Sequence, residues 1–154
     1  MRSLELKACH IDLLEGDIAH VHFRDGHLVT PEEVHLMFEA IAAERGGRKV
    51  LLLVSVGEGT TMTGEARTYA SSPESNAYVA ADAIIVRDFS HNLAANVFVR
   101  HNKPTRPIQM FGDKASAVEW LTQHHDLIDP HDAHRVRLHR SYVAADQCSG
   151  AGRC

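Results

Sequence analysis

Long apolar runs are what this chain lacks first. No stretch approaches the ~18 apolar residues that cross a bilayer. The opening Met1-Arg2-Ser3-Leu4-Glu5-Leu6-Lys7 has no apolar core of a secretory leader. No membrane insertion is expected, and a cytoplasmic location is the default. Cysteine is scarce, with three in 154 residues, too few and too badly spaced for a disulfide framework. Cys9 falls in an alternating strand and should pack as a small hydrophobe. Cys148 and Cys154 fall in a Gly/Ser/Ala tail and should be free thiols. An excess of basic charge is missing too: 16 Lys and Arg stand against 20 Asp and Glu, a net charge of −4. That excludes the basic face of a nucleic-acid binder. Also absent are a P-loop, a dinucleotide fingerprint, a readable Ser-His-Asp or Cys-His set, and an internal repeat. No cofactor is implied.

What is present is an α/β pattern. Hydrophobic residues make up 44% and charged residues 23%, which suits one domain with one core. Two short, nearly all-apolar runs, Val50-Leu51-Leu52-Leu53-Val54 and Ala83-Ile84-Ile85-Val86, each feed a helical pattern. Strands apolar on both faces belong in the middle of a parallel sheet covered by helices. Ligands of such sheets lie beyond the carboxyl ends of the strands.

Alternation over 4–14 and 18–23, separated by Glu15-Gly16-Asp17, predicts an antiparallel hairpin, with Leu4, Leu6, Ala8 and His10 on one side. Thr30-Pro31-Glu32-Glu33 reads as a capping box. Val34, Met37, Phe38 and Ile41 then form one helical stripe, ended by Gly46-Gly47. Residues 49–56 form the first buried strand and 57–62 a flexible, hydroxyl-rich loop. A short helix follows over 63–71, with 76–81 extending it or forming a second piece, and 82–86 is the second buried strand. Ser90 caps a helix to about His101 with Leu93, Ala94, Val97 and Phe98 as its stripe. Residues 102–107 are a connector and 108–111 a strand. Gly112-Asp113 opens a last helix with Ala117, Val118, Trp120 and Leu121 inward. From Asp126 periodicity is lost. The expected organisation is a domain over 1–125 and a tail over 126–154, partly ordered or disordered.

The motifs His20-Val21-His22, Glu65-Ala66-Arg67 and Ser72-Pro73-Glu74-Ser75-Asn76-Ala77-Tyr78 precede Ala81-Asp82-Ala83-Ile84-Ile85-Val86. Asn102-Lys103-Pro104-Thr105-Arg106-Pro107 and Ala117-Val118-Glu119-Trp120-Leu121 follow. In this order and spacing the chain resembles the SpoIIAA-like, STAS/SEC14 domain-containing group of small bacterial proteins, over roughly residues 11–121. The resemblance implies a four- or five-stranded mixed sheet, an N-terminal β-hairpin followed by alternating βα units, and helices mainly on one face. It implies no catalytic residues. Relatives of this fold include anti-sigma-factor antagonists, which accept phosphate on a serine at the second helix, and lipid carriers. The matching position here is Thr63-Gly64. Thr61-Met62-Thr63-Gly64 stands where an Asp-Ser-Ser-Gly type of signature is expected.

Twelve histidines are many for this length. His20 and His22 point to one strand face, with His10 on the neighbouring strand as a third candidate. The set reads either as metal ligands or as an ordinary solvent-facing row. His124, His125, His131, His134 and His139 read as a polar tail or as an adventitious metal site. Gly57, Gly59 and Gly64 with Thr60, Thr61 and Thr63 read as an anion cradle or as a plain connection. Asp82 reads as a turn or cap acceptor. Met62, Tyr69, Tyr78, Leu93, Val97 and Phe98 are core, pocket or a twofold dimer patch, and the sequence leaves all three open.

The first functional expectation is a non-enzymatic binding or regulatory module that presents residues 57–78 and 90–101 to a protein partner or a small apolar ligand, as a homodimer. The candidate site is Thr63, Glu65, Arg67, Tyr69, Tyr78, Asn96, Phe98 and Lys103. The alternative is a carrier of an apolar or lipid-like molecule in a cleft under the second and third helices. The third is an enzyme of unassigned class, with Glu65 and Arg67 as its candidates.

Overall fold

Three antiparallel strands, then three parallel ones, form the central sheet. A computed structural model describes residues 2–86 and 105–128. The strands β1 (Arg2–Glu5), β2 (Cys9–Leu14), β3 (Ile18–Phe23), β5 (Val50–Val56), β7 (Val79–Ile85) and β8 (Ile108–Phe111) lie side by side in that order. From β3 onward all pairings are parallel. A separate ribbon pairs β4 (Leu28–Val29) with β6 (Thr61–Met62) in parallel. The helices are α1 (Pro31–Arg45), α2 (Gly64–Ala70) and α3 (Lys114–Gln123). The helix expected over 90–101, with Leu93, Asn96, Val97 and Phe98, lies outside the described residues. So do Lys103 and 129–154, which include Cys148, Cys154, His131, His134 and His139.

Alternate residues of β5 serve two cores. Val50 and Leu52 pack with Ala19, Val21 and Phe23 under the α1 stripe Val34, Met37, Phe38 and Ile41. Leu51 and Leu53 pack on the other face with Ile18, Ala81 and Ala83 against Ala117 and Leu121 of α3. α1 and α2 thus share one face, as expected of most helices, and α3 is the exception. α1 begins as its sequence dictates. The Thr30 hydroxyl accepts from the Glu33 amide at 3.3 Å, and the Glu33 carboxylate accepts from the Thr30 amide at 3.1 Å. Gly46, at φ 65°, ends it.

Several boundaries differ from the sequence reading. The stretch 4–14 is two strands, so the opening is a three-stranded meander and the sheet has six strands, more than four or five. A bend at residues 6–8 closes with the Leu6 amide donating to the Cys9 carbonyl at 2.8 Å. The Arg24 guanidinium holds it by donating to the Leu6 carbonyl at 2.9 Å. The bend reverses parity. Leu4 pairs opposite Ile11, and His10 moves to the other face opposite His22. Residues 73–77 form a 3₁₀ turn and β7 starts at Val79. His124 packs against Trp120 with ring centroids 4.2 Å apart, and His125 pairs with Asp17 at 2.7 Å, so neither belongs to a tail. Beyond them Ile128 is buried in the second core.

The loop over 57–62 is a fixed turn that ends in β6. The Gly57 amide donates to the Phe23 carbonyl at 2.7 Å, and the Glu58 amide to Asp25 Oδ1 at 3.0 Å. A Cβ on Gly57 would lie 2.5 Å from the Asp25 nitrogen and 2.7 Å from its Cα. Those are backbone atoms and cannot swing aside. Gly57→Ala should therefore destabilise the protein by about 1–3 kcal/mol, as overpacking does. Urea unfolding would measure this as a lower midpoint at unchanged slope.

Candidate functional site

Strand register builds one polar face. Ser3, Asp12 and His20 stand abreast across β1, β2 and β3, and Glu5, His10, His22 and Ser55 stand abreast across β1, β2, β3 and β5. Period-two alternation puts all seven on the face opposite α1. Ser55 is the penultimate residue of β5, so the group lies at the carboxyl ends of the parallel strands. Open α/β sheets receive ligands there.

The outer half of this face is charge-balanced. The Ser3 hydroxyl donates to Asp12 Oδ1 at 2.6 Å. His10 bridges two carboxylates, with Nε2 2.9 Å from Asp12 Oδ1 and Nδ1 on Glu5. The Glu5 bond, then the Asp12 bond, raise the His10 pKa by favouring the charged ring. Arg24 donates to Glu5 at 2.5 Å and, with His10, holds that carboxyl below its usual range.

The inner half is different. His20 Nε2 lies 3.0 Å and His22 Nδ1 2.8 Å from the Ser55 hydroxyl oxygen. One hydroxyl proton and two lone pairs satisfy both contacts if one ring donates and the other accepts. Burial, then the positive charge of Lys114 on α3, push the His20 pKa down. Among the described residues no group of three or more His, Cys, Asp or Glu is placed to hold a metal.

The residues nominated from sequence lie elsewhere. Thr63 caps α2, its hydroxyl accepting from the Ala66 amide at 3.0 Å. Glu65 and Arg67 are exposed, and Arg67 donates to the Met62 carbonyl at 2.8 Å. Tyr69 and Tyr78 are brought together on the α1 side by Phe38, which stacks on Tyr78 with centroids 5.0 Å apart. With Met62 they pack against the first core. Most amides of the loop read as an anion cradle are spent within the chain. Those of Gly57, Glu58, Thr60, Thr61 and Thr63 donate to Phe23, Asp25, Gly57, His27 and Val29 within the chain.

Two features went unread in the sequence. Ser55 was hidden inside an apolar run. The other is an ion pair. Asp82 is no cap: it stands buried mid-strand in β7, and Arg106 Nε donates to its Oδ2 at 2.7 Å. The same guanidinium donates at 2.7 Å each to the Ser75 hydroxyl, the Asn76 side-chain oxygen and the Ala70 carbonyl. An aspartate inside an apolar strand was itself the signal, because buried charges need partners.

Residues 13–125 match the model of a family described as a domain of unknown function, DUF7793. The chain belongs to the DUF7793 family. No curated protein matches it. Among solved structures, this DUF7793 chain is similar to an uncharacterized protein of the DUF3478 family, with a SpoIIAA-like fold, from Shewanella loihica PV-4. The identity is 18% over 74% of this chain and 92% of that one, with a TM-score of 0.51. The DUF7793 fold seen here is thus SpoIIAA-like. His20, His22, Ser55 and Lys114 all fall inside the family match, and Ser3, Glu5, His10 and Asp12 precede it. No described helix of this DUF7793 chain is long and apolar enough to cross a membrane.

Proposed function

We propose that this DUF7793 protein is a non-enzymatic, STAS-like binding and regulatory module whose ligand rests on the polar sheet face at the carboxyl ends of β3 and β5. One observation supports the reading: the Ser55 hydroxyl held between His20 Nε2 at 3.0 Å and His22 Nδ1 at 2.8 Å. A nucleophilic serine needs a base that a third group orients. Among the described residues no carboxylate hydrogen-bonds to either ring. Asp12 stands across from His20 but is engaged by Ser3 and His10. The geometry suits holding a polar group rather than attacking one. Segment 57–78 lies on the opposite side of the sheet, and its exposed Glu65 and Arg67 are the surface offered to a protein partner.

The test is a screen of small polar compounds against the full chain, following histidine ring resonances by NMR. Binding compounds should shift His20 and His22 together, and Ser55→Ala should abolish the shifts while the melting curve stays put. A screen in which no compound moves those two rings would overturn the reading.

A further inference from the structure

We propose that His10 works a pH-sensitive latch, which ties the edge strand β1 to β2 while its ring is protonated and slackens when the ring is neutral. The latch belongs to the fold and stands whether or not the polar face binds a ligand.

β1 depends on such ties. It is the outermost strand of the sheet on its side and pairs with β2. It has four residues, of which Arg2, Ser3 and Glu5 are exposed. Leu4 packs against the first core and is only partly buried. Segments with so little buried apolar surface are the first to open locally. What else holds β1 is polar. Arg2 reaches Glu44 of α1 at 2.5 Å on one face, and three ties lie on the other.

The Ser3 hydroxyl donates to Asp12 Oδ1 at 2.6 Å, and Arg24 donates to Glu5 at 2.5 Å. The third tie is His10, directly opposite Glu5 in the register. Its Nδ1 meets a Glu5 carboxylate oxygen, and its Nε2 lies 2.9 Å from Asp12 Oδ1. Ionised carboxylates only accept, so both contacts are hydrogen bonds only when both ring nitrogens carry a proton. A neutral ring has one N–H. One carboxylate then faces a ring lone pair, and the surviving bond loses its charge assistance. Either way the contact between the strands weakens, because Glu5 loses its donor or the donor's charge. The charged and titratable groups around the ring are Glu5 from β1, Asp12 from β2, His20 and His22 from β3, and Arg24 just past β3.

The sign of the pH dependence follows. The Glu5 bond, then the Asp12 bond, place the His10 pKa above its ordinary value. Stability gained that way is present below the ordinary value and is lost as pH rises through the raised one. Glu5 and Asp12 shift below their ordinary values, led by Arg24 for Glu5 and by Ser3 for Asp12. Their share is present above the ordinary carboxylate range and is lost only in acid. The latch is thus closed between the two ranges and opens on the alkaline side of the imidazole transition. Arg24 keeps its hold on Glu5 throughout, so β1 slackens rather than falls away. These groups face solvent, so the effect is modest and screened by salt. With β1 slack, Asp12 and His10 lose their partners Ser3 and Glu5, and β2 becomes the outer strand of the polar face.

Water-exchange NMR on the full chain is the test. It reads the protection of β1 backbone amides, relative to free peptide, from about pH 5.5 to 8.5. The His10 ring resonance, assigned by its loss in His10→Gln, gives the midpoint. Protection in β1 should fall about two- to fivefold across that midpoint, while amides of β8, at the opposite edge, keep theirs. High salt should shrink the step. Glu5→Gln should lower the His10 midpoint, and His10→Gln should erase the step. Protection that stays level through the His10 midpoint overturns the inference. So does a step of the same size in His10→Gln, or a His10 midpoint that Glu5→Gln leaves unmoved.

Discussion

Arg106→Ala should destabilise the protein by about 3–5 kcal/mol, because it strips a buried charge of its partner. Arg106 and Asp82 are both buried. The guanidinium bonds four groups at 2.7 Å: Asp82, Ser75, Asn76 and the Ala70 carbonyl. Alanine leaves all four facing a void. Burial already pushes the Asp82 carboxyl up, against the opposing pull of Arg106. Without that pull the carboxyl is pushed up further, toward its neutral form, which softens the loss without cancelling it. The damage should spread beyond one strand. The four partners belong to the end of α2, the 3₁₀ turn and β7, and the Asn76 amide also donates to Thr105 at 2.7 Å. Urea unfolding should show the lower midpoint. A double variant, Asp82→Leu with Arg106→Leu, should lose much less, since replacing a whole buried pair by apolar groups is often near neutral. Arg2→Ala is the surface control. Arg2 pairs with Glu44 at 2.5 Å but is 67% exposed, so the change should stay within about 1 kcal/mol. If Arg106→Ala behaves like Arg2→Ala, the clamp is not what ties these elements together.

The elements that were legible in sequence are those whose signals are local. The Thr30 capping box, the α1 stripe and the apolar run of β5 each depend on spacing within a few residues, and each is found where it was read. The bend at residues 6–8 was read through as one strand, although the apolar positions change phase there, from Leu4, Leu6 and Ala8 to Cys9, Ile11 and Leu13. Alternation records the side of each residue only while the chain runs straight. Segment 57–62 looked flexible because glycine and threonine permit freedom. The partner that fixes it, the Asp25–His27 turn, lies some 30 residues away in sequence. The site was hidden for the same kind of reason. His20 and His22 could be placed on one face by counting in twos, but Ser55 joins them through parallel pairing 35 and 33 residues later. Nothing local to Ser55 announces that neighbour. Arg106 meets Asp82 across 24 residues. In both cases the functional or structural partner is set by strand order, which periodicity does not contain.

Phe38→Ala should cost about 3–5 kcal/mol, in the range for losing a buried aromatic ring. Phe38 is 1% exposed. Its ring stacks on Tyr78 with an interplanar angle of 5° and meets Tyr69 at 6.0 Å. The tyrosines roof this part of the first core, and their hydroxyls are tied to the same helix. Tyr78 donates to Glu39 at 2.7 Å, and the Tyr69 hydroxyl is 2.8 Å from His35 Nδ1. Those bonds limit how far the roof can drop into the space left by the ring, so the cavity persists and the cost stays near the upper end. Tyr69→Phe removes only the hydroxyl contact to a half-exposed histidine and should cost no more than about 1.5 kcal/mol. The contrast separates packing from hydrogen bonding, with urea midpoints as the measure and near-UV circular dichroism reporting the tyrosine environment. A loss below about 1.5 kcal/mol for Phe38→Ala would mean that the two tyrosines collapse inward. That would make the α1–α2 side soft enough to open an apolar cleft. A large loss instead marks it as a rigid wall, and leaves ligand recognition to the histidine–serine face on the other side of the sheet.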